Sequence, residues 1–269
     1  MFSIARTFVI QAVKEKFVNS TLVATYDPRL VALSVLIAIC ASYVALDLAG
    51  RVNAARNNAR VAWLIGGAIA MGTGIWSMHY TGMLAYQLPV QVYYHIPTVI
   101  LSLVAAIAAS FVALFVVSRP SVSVLHVIVG SLLIAAGICG MHYTGMAAMR
   151  LPAMHHWDQT LVVVSVVVAL TVALAALGLT FLFREDGHDK VLKGICAIIM
   201  GFAVPAMHYI GMTAVSFQAM PETPDLTNAM DISGLVNTAI IVVTFVVLGS
   251  VLLFSRWFAP AQEPSPAKA

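Results

Sequence analysis

The chain has 269 residues, 61% of them hydrophobic and only 9% charged, with a formal net charge of +3. An average soluble domain is about 45–50% apolar and about 25% charged, so an ordinary soluble domain and a disordered chain are both excluded. So small a charge, spread over many short connections, also argues against nucleic acid binding. Cys40, Cys139 and Cys196 all sit in apolar runs, so there is no disulfide framework to read. The solvent expected for most of the chain is lipid.

Residues 1–28 come first. Met1 to Ser20 lacks a long apolar core and a small-residue cleavage site, so it is neither a clear signal peptide nor a full span. It is expected to lie outside or at the interface. Seven apolar segments of membrane-spanning length follow, at roughly 30–50, 61–86, 97–117, 122–149, 160–183, 191–217 and 235–256. Residues 29–256 are thus expected to form one all-α integral membrane domain. Residues 257–269 form a Pro- and Ala-rich tail with no room for an output domain.

Lys and Arg in the connections set the orientation. Arg51, Arg56, Arg60, Arg119, Arg184, Lys190, Lys193, Arg256 and Lys268 fall on one side. Arg29 and Arg150 fall on the other, with Arg6, Lys14 and Lys16 preceding the first span. The bias of nine against five places the N-terminus outside and the C-terminus in the cytoplasm.

The chain repeats itself. WSMHYTGMLAY at 76–86, GMHYTGMAAM at 140–149 and AMHYIGMTAV at 206–215 carry His79, His142 and His208, separated by 63 and 66 residues. That period is two spans and two connections, so the architecture reads as one helix plus three repeated two-helix hairpins. Gly67 and Gly130 each lie 12 residues before their histidine, and Gly74 and Gly137 each lie 5 before. Small residues of this kind let helices approach closely in lipid. At about 1.5 Å per residue the histidines lie about 27, 30 and 26 Å from the cytoplasmic ends of their helices. All three belong near the outer edge of the hydrocarbon, and they converge if the hairpins share an axis.

Within each copy the second methionine follows histidine by four: His79 with Met83, His142 with Met146, His208 with Met212. Positions i and i+4 share a helix face, so each helix can offer one imidazole and one thioether to one point. The first methionines, Met78, Met141 and Met207, lie about 100° round the helix. They share a face with Gly82, Gly145 and Gly211, which leave room for a neighbouring helix or an ion. Imidazole with thioether is a soft, mixed set that suits copper, especially Cu(I). Zinc prefers cysteine, histidine and carboxylate, and no carboxylate lies in the motifs. Haem iron competes, since His–His or His–Met pairs hold haem, but three copies favour a metal cluster or one threefold site.

A bland account also exists. Tyr80, Tyr143 and Tyr209 fit an aromatic belt, and most methionines in an apolar chain are packing. Three intramembrane histidines at one depth, each with methionine at i+4, favour ligand binding, because ionisable residues inside membranes are functional candidates by default. His95, His155 and His156 in the outer loops could deliver copper, or be solvated loop residues. Cys139 could add a thiolate, although a small buried hydrophobe is the simpler reading. Pro205 should kink its helix by removing the bond to the Gly201 carbonyl. Asp47 is placed to pair with Arg51 at i+4. His126, Asp186 and His188 suggest no role, and no catalytic machinery is visible, so enzyme activity is not expected.

Met78-His79-Tyr80-Thr81, Met141-His142-Tyr143-Thr144 and Met207-His208-Tyr209-Ile210 resemble the repeated motif of the bacterial MHYT family of membrane sensor domains. The likeness covers about residues 25–256, including Ala45-Leu46-Asp47-Leu48 and Arg51. It implies seven spans in the bacterial inner membrane, an outward-facing motif cluster and a proposed copper site. It also implies a proposed sensing of oxygen, carbon monoxide or nitric oxide. Ile210 departs from the pattern, which weakens a ligand role for the threonines. Many family members continue into cytoplasmic domains that make or degrade cyclic di-GMP. This chain is therefore expected to signal through a separate cytoplasmic or membrane partner. Copper transport or delivery, with Met71 and Met200 as deeper ligands, is the alternative. A haem-binding membrane electron carrier is a third.

Overall fold

A computed structural model of the chain describes residues 20–119, 122–183, 190–233 and 235–257. The expectations for Arg6, Lys14 and Lys16, for Arg184, Asp186 and His188, and for the tail from residue 258 lie outside these residues.

Seven helices form, connected at one end by short strands: α1 (Pro28–Ala54), α2 (Asn57–Ala85), α3 (Ile96–Val117), α4 (Val124–Ala147), α5 (Gln159–Leu182), α6 (Lys190–Thr213) and α7 (Leu235–Trp257). The first six are long and apolar enough to cross a membrane, and α7 holds a further apolar stretch, Asn237–Leu253. Their outward surfaces carry large apolar side chains such as Leu133, Val163, Val167, Ile199 and Phe202. Helix starts follow local chemistry. Asp27 caps α1 by accepting from the Arg29 N–H at 2.8 Å, with Pro28 in the first turn. Asp158 caps α5 by accepting from the Thr160 and Leu161 N–H groups.

The expected sixth span, 191–217, runs too far. Its helix stops at Thr213, and Val215–Ala219 form a strand whose alternate residues Val215, Phe217 and Ala219 are buried. A short apolar run with period two packs as a strand even where its hydropathy continues a span.

Helices α1 to α6 close a ring. Each packs on the next, and α6 returns to α1. The α7 helix lies outside, against α2 and α1. The motif hairpins α2–α3, α4–α5 and α6–α7 exist in chain order, but the third is completed in space by α1. Close packing explains this. A Cβ on Gly201 of α6 would lie 2.6 Å from the Ile39 Cα of α1, as one on Gly72 of α2 would lie 2.6 Å from the Ile107 Cα of α3. The inner face of α1, with Ala38, Ala41, Ser42 and Ala45, is turned to the ring axis. Bulky residues dominate α7. Gly74 meets Ala41 and Gly137 meets Ala109, each with a Cβ-to-Cβ separation of 2.7 Å were the glycine alanine. The glycine spacing read from the sequence is thus a packing code.

The motif end is stitched twice over. Strand pairs join Tyr26 to Tyr86, Tyr94 to Met149 and Trp157 to Val215, linking α1 to α2, α3 to α4 and α5 to α6. The Asp27, His95 and Asp158 N–H groups donate to the Ala85, Ala148 and Ala214 carbonyls at 2.8–2.9 Å. The third element of the middle sheet, Ala229–Met230, adds to Tyr94–His95. At the opposite, basic end, Asp47 bonds Arg51 Nε at 2.8 Å, the expected i,i+4 pair, and also Lys193 Nζ of α6 at 3.2 Å.

Candidate metal centre

Each motif lies in the last turns of a ring helix that alternates with a helix lacking one. His79, His142 and His208 sit six, five and five residues before the ends of α2, α4 and α6. All three point to the ring axis and are buried.

Their Nδ1 atoms form a triangle. The edges are 3.0 Å from His79 to His208, 3.3 Å from His79 to His142 and 3.2 Å from His142 to His208. The rings stand nearly perpendicular to one another, with centroids 4.9 to 5.1 Å apart. Rings this close leave no gap for a porphyrin between any pair. Among the described residues, this is the group of histidine, cysteine and acidic side chains that could hold a metal ion.

The triangle carries an electrostatic conflict. A ring nitrogen either donates a proton or offers a lone pair. Three mutually adjacent nitrogens cannot alternate the two roles, so at least one edge joins like with like. A cation at the centre resolves this by accepting all three lone pairs. The centre lies about 1.8 Å from each Nδ1, close to the usual metal–imidazole distance of about 2.0–2.1 Å, so His79, His142 and His208 would hold an ion together.

Each imidazole is seated by a glycine of the next motif. A Cβ on Gly82 would collide with His208 Nε2, one on Gly145 with His79 Nε2, and one on Gly211 with His142 Nε2. The room that the sequence shows beside these glycines is therefore filled by a neighbour's ring. The three Nε2 atoms are buried without a hydrogen-bond partner. Coordination through Nδ1 puts the proton on Nε2.

The tyrosines are positioning residues. Tyr209 shares a hydrogen bond with Ser34 at 2.8 Å, Tyr143 with Ser165 at 2.5 Å, and Tyr80 with Ser102 at 3.4 Å. Each serine also donates to the carbonyl three residues back, at 2.7 Å. These bonds tie α6 to α1, α2 to α3 and α4 to α5, and each tyrosine ring lies edge-on to its own histidine. Nothing within the motifs themselves singles out these serines. Ser102 and Ser165 each follow their tyrosine by 22 residues, a signal that was there to find. Ser34 has no such offset, because it precedes the first motif.

The methionines divide. Met83, Met146 and Met212 are buried in one cluster with Tyr80 and Met149, on the motif-end side of the triad. Met78 packs with Ile37 and Ala38 of α1, and Met207 falls in the cluster holding Ala169 and Ala173 of α5. Met141 is also buried. Cys139 packs against the same α5 cluster, apart from the triad. The loop histidines are occupied locally: His95 bonds Thr98, and His156 bonds Gln218. His155 packs on Phe217 and Trp157, with its Nε2 buried and unpartnered.

Comparison with known proteins agrees with this plan. The MHYT family, described as a bacterial signalling protein N-terminal repeat, matches residues 18–62, 72–130 and 136–192, more than half of the chain. The first matched segment contains α1 as the second contains α3, consistent with their equivalent places in the ring. The bifunctional diguanylate cyclase/cyclic di-GMP phosphodiesterase MucR of Pseudomonas aeruginosa is 39% identical over 235 residues, 87% of this chain and 34% of that protein. The cyclic di-GMP phosphodiesterase NbdA of the same organism is 37% identical, over 74% of this chain and 26% of its own length. The signalling protein YkoW of Bacillus subtilis is 36% identical, over 72% of this chain and 24% of its own. The chain thus spans about a third or less of these relatives. No solved structure matches it. With its three histidine motifs on one axis of a bundle of apolar helices, the chain is a multi-pass membrane signalling domain of the MHYT family.

Proposed function

We propose that this domain is a sensor that binds one copper ion through His79, His142 and His208. The converging Nδ1 triangle carries this reading, because three facing lone pairs call for a cation. Met83, Met146 and Met212 supply a thioether layer on the motif-end side, from which Cu(I) would be accepted. Copper held by three imidazoles keeps an open position, the chemistry needed to take oxygen, carbon monoxide or nitric oxide. The basic connections support a placement in the bacterial cytoplasmic membrane with this site towards the outside and the C-terminus inside.

The ring supplies the response. A ligand shifts a conformational equilibrium only through different affinities for two states. The three imidazoles come from alternate helices, so loading or distorting the site draws or releases α2, α4 and α6 together. Their basic ends, with the Asp47–Lys193 contact between α1 and α6, would present the change to a separate signalling partner. The relatives' names link this kind of domain to cyclic di-GMP turnover, and we extend that association to the partner of this chain.

Elemental analysis of detergent-purified protein supplied with copper tests the reading. Wild type should hold copper, and the combined His79→Ala, His142→Ala and His208→Ala variant should lose it. Equal copper in both would overturn it. One observation favours a second reading, copper transport: Met71 and Met200 face the axis below the triad. Copper uptake by vesicles that depends on both methionines would select it.

A further inference from the structure

Below the triad, towards the basic end, the ring axis opens into a cavity of about 80 Å³. All six ring helices line it, in levels that follow the repeat. Ile75, Ile138 and Val204 each lie four residues before a motif histidine, one turn from the imidazoles. Alanines of α1, α3 and α5 (Ala45, Ala113 and Ala176) hold the space open at one level. Three hydroxyls reach the lining. Those of Ser110 and Thr180 donate to their own helices, at the Ala106 and Ala176 carbonyls, which leaves Ser42. A buried water needs two to four polar partners, and an apolar cavity without them stays dry.

We propose that this axial cavity is a binding site for a small, uncharged, apolar molecule of two or three heavy atoms. The lining offers no charge, at most one free hydroxyl and otherwise hydrocarbon with the thioethers of Met71, Met78 and Met200, so hard ions and polar metabolites have nothing to replace their hydration. Volume sets the size. An engineered dry cavity of about 150 Å³ takes benzene or xenon, so about half that volume takes an atom of xenon or a diatomic gas and excludes rings. The helices approach closely at Gly72 and Gly201, so the cavity is held open from both sides of the ring and cannot collapse without separating α2 from α3 or α6 from α1. Its place makes it a reservoir beside the imidazoles on the face away from the methionine layer. Occupancy needs no metal; its bearing on signalling rests on the copper reading above.

Xenon is the probe. Crystals of the full chain under xenon pressure, with and without copper, should show one xenon atom on the ring axis among Ile75, Ile138 and Val204. Ala113→Leu fills the space and should abolish the site. Ala45→Val is a gentler filling variant that should reduce its occupancy severalfold if the first variant misfolds. The combined histidine variant should keep the xenon. Absence of axial xenon in wild type, or undiminished xenon in a folded filling variant, overturns the proposal. Copper bound without xenon refutes the cavity alone, and xenon bound without copper refutes the copper reading alone.

Discussion

Replacing Gly145 with alanine sets a methyl group against the His79 imidazole. The ideal Cβ position overlaps Nε2 and crowds the neighbouring ring carbons of His79. The ring must move on the order of 1 Å to restore an ordinary contact. The Nδ1 triangle has edges of 3.0 to 3.3 Å, and metal–ligand distances tolerate only about 0.2 Å. A shift of that size removes His79 from the ligand set. Loss of a mere supporting contact costs about 10–100-fold in metal affinity, so loss of a ligand should cost about 100-fold or more. Stability changes less: overpacking costs about 1–3 kcal/mol, offset by about 0.5–1 kcal/mol from replacing a helical glycine. Chelator competition on purified protein, with a melting curve, measures both. Gly140→Ala is the matched control, because a Cβ there meets open space in the same helix. It should leave copper affinity unchanged. Wild-type affinity in a normally folded Gly145→Ala protein would refute the glycine-seated triad.

Other parts of the structure make separate predictions. Gly201→Ala drives a Cβ to 2.6 Å from the Ile39 Cα, a backbone atom that cannot step aside, so it should destabilise by about 1–3 kcal/mol while Gly194→Ala, facing open space, should not; equal melting temperatures would contradict the ring closure. A double-mutant cycle on Tyr143→Phe and Ser165→Ala should return a coupling of about 0.6 kcal/mol, typical of hydrogen bonds between membrane helices, and zero coupling would remove the tyrosine–serine stitch. Asp47→Asn should weaken the α1–α6 contact by about 1 kcal/mol, an effect that shrinks in high salt; an unchanged denaturation midpoint would deny that contact a role. Burial, with the Arg150 guanidinium nearby, holds His155 below the usual histidine range. The unfolded chain therefore takes up this proton first as pH falls through about 6.5, and stability should fall with it. His155→Phe should flatten that slope in melts between pH 7 and pH 5, and a steeper slope would reverse the assignment.

The period of 63 and 66 residues made the three motif helices legible, and the i,i+4 spacing placed Met83, Met146 and Met212 on one side of the histidines. Local rules also gave Asp47 with Arg51 and the close-packing glycines. Contacts between distant residues stayed hidden. Nothing local says that Gly82 seats the ring of His208, 126 residues away, or that Tyr209 closes the ring on Ser34. The displacement of α7 by α1 was equally invisible, since both are apolar and of spanning length. What places α1 there is the close approach of its backbone at Ile39 to Gly201, a long-range contact that needs a partner before it can be read. Hydropathy likewise ran the sixth span into Val215–Ala219, because a buried strand and a helix end have the same composition.

X-ray absorption at the copper edge, with copper stoichiometry on the same sample, tests the central claim most directly. The account predicts one copper per chain, bound by three imidazole nitrogens at about 2.0 Å, with the imidazole signal gone in the combined histidine variant. Three coppers per chain, one for each motif, or an imidazole signal that survives loss of His79, His142 and His208, would contradict a single site built at the axis of the ring.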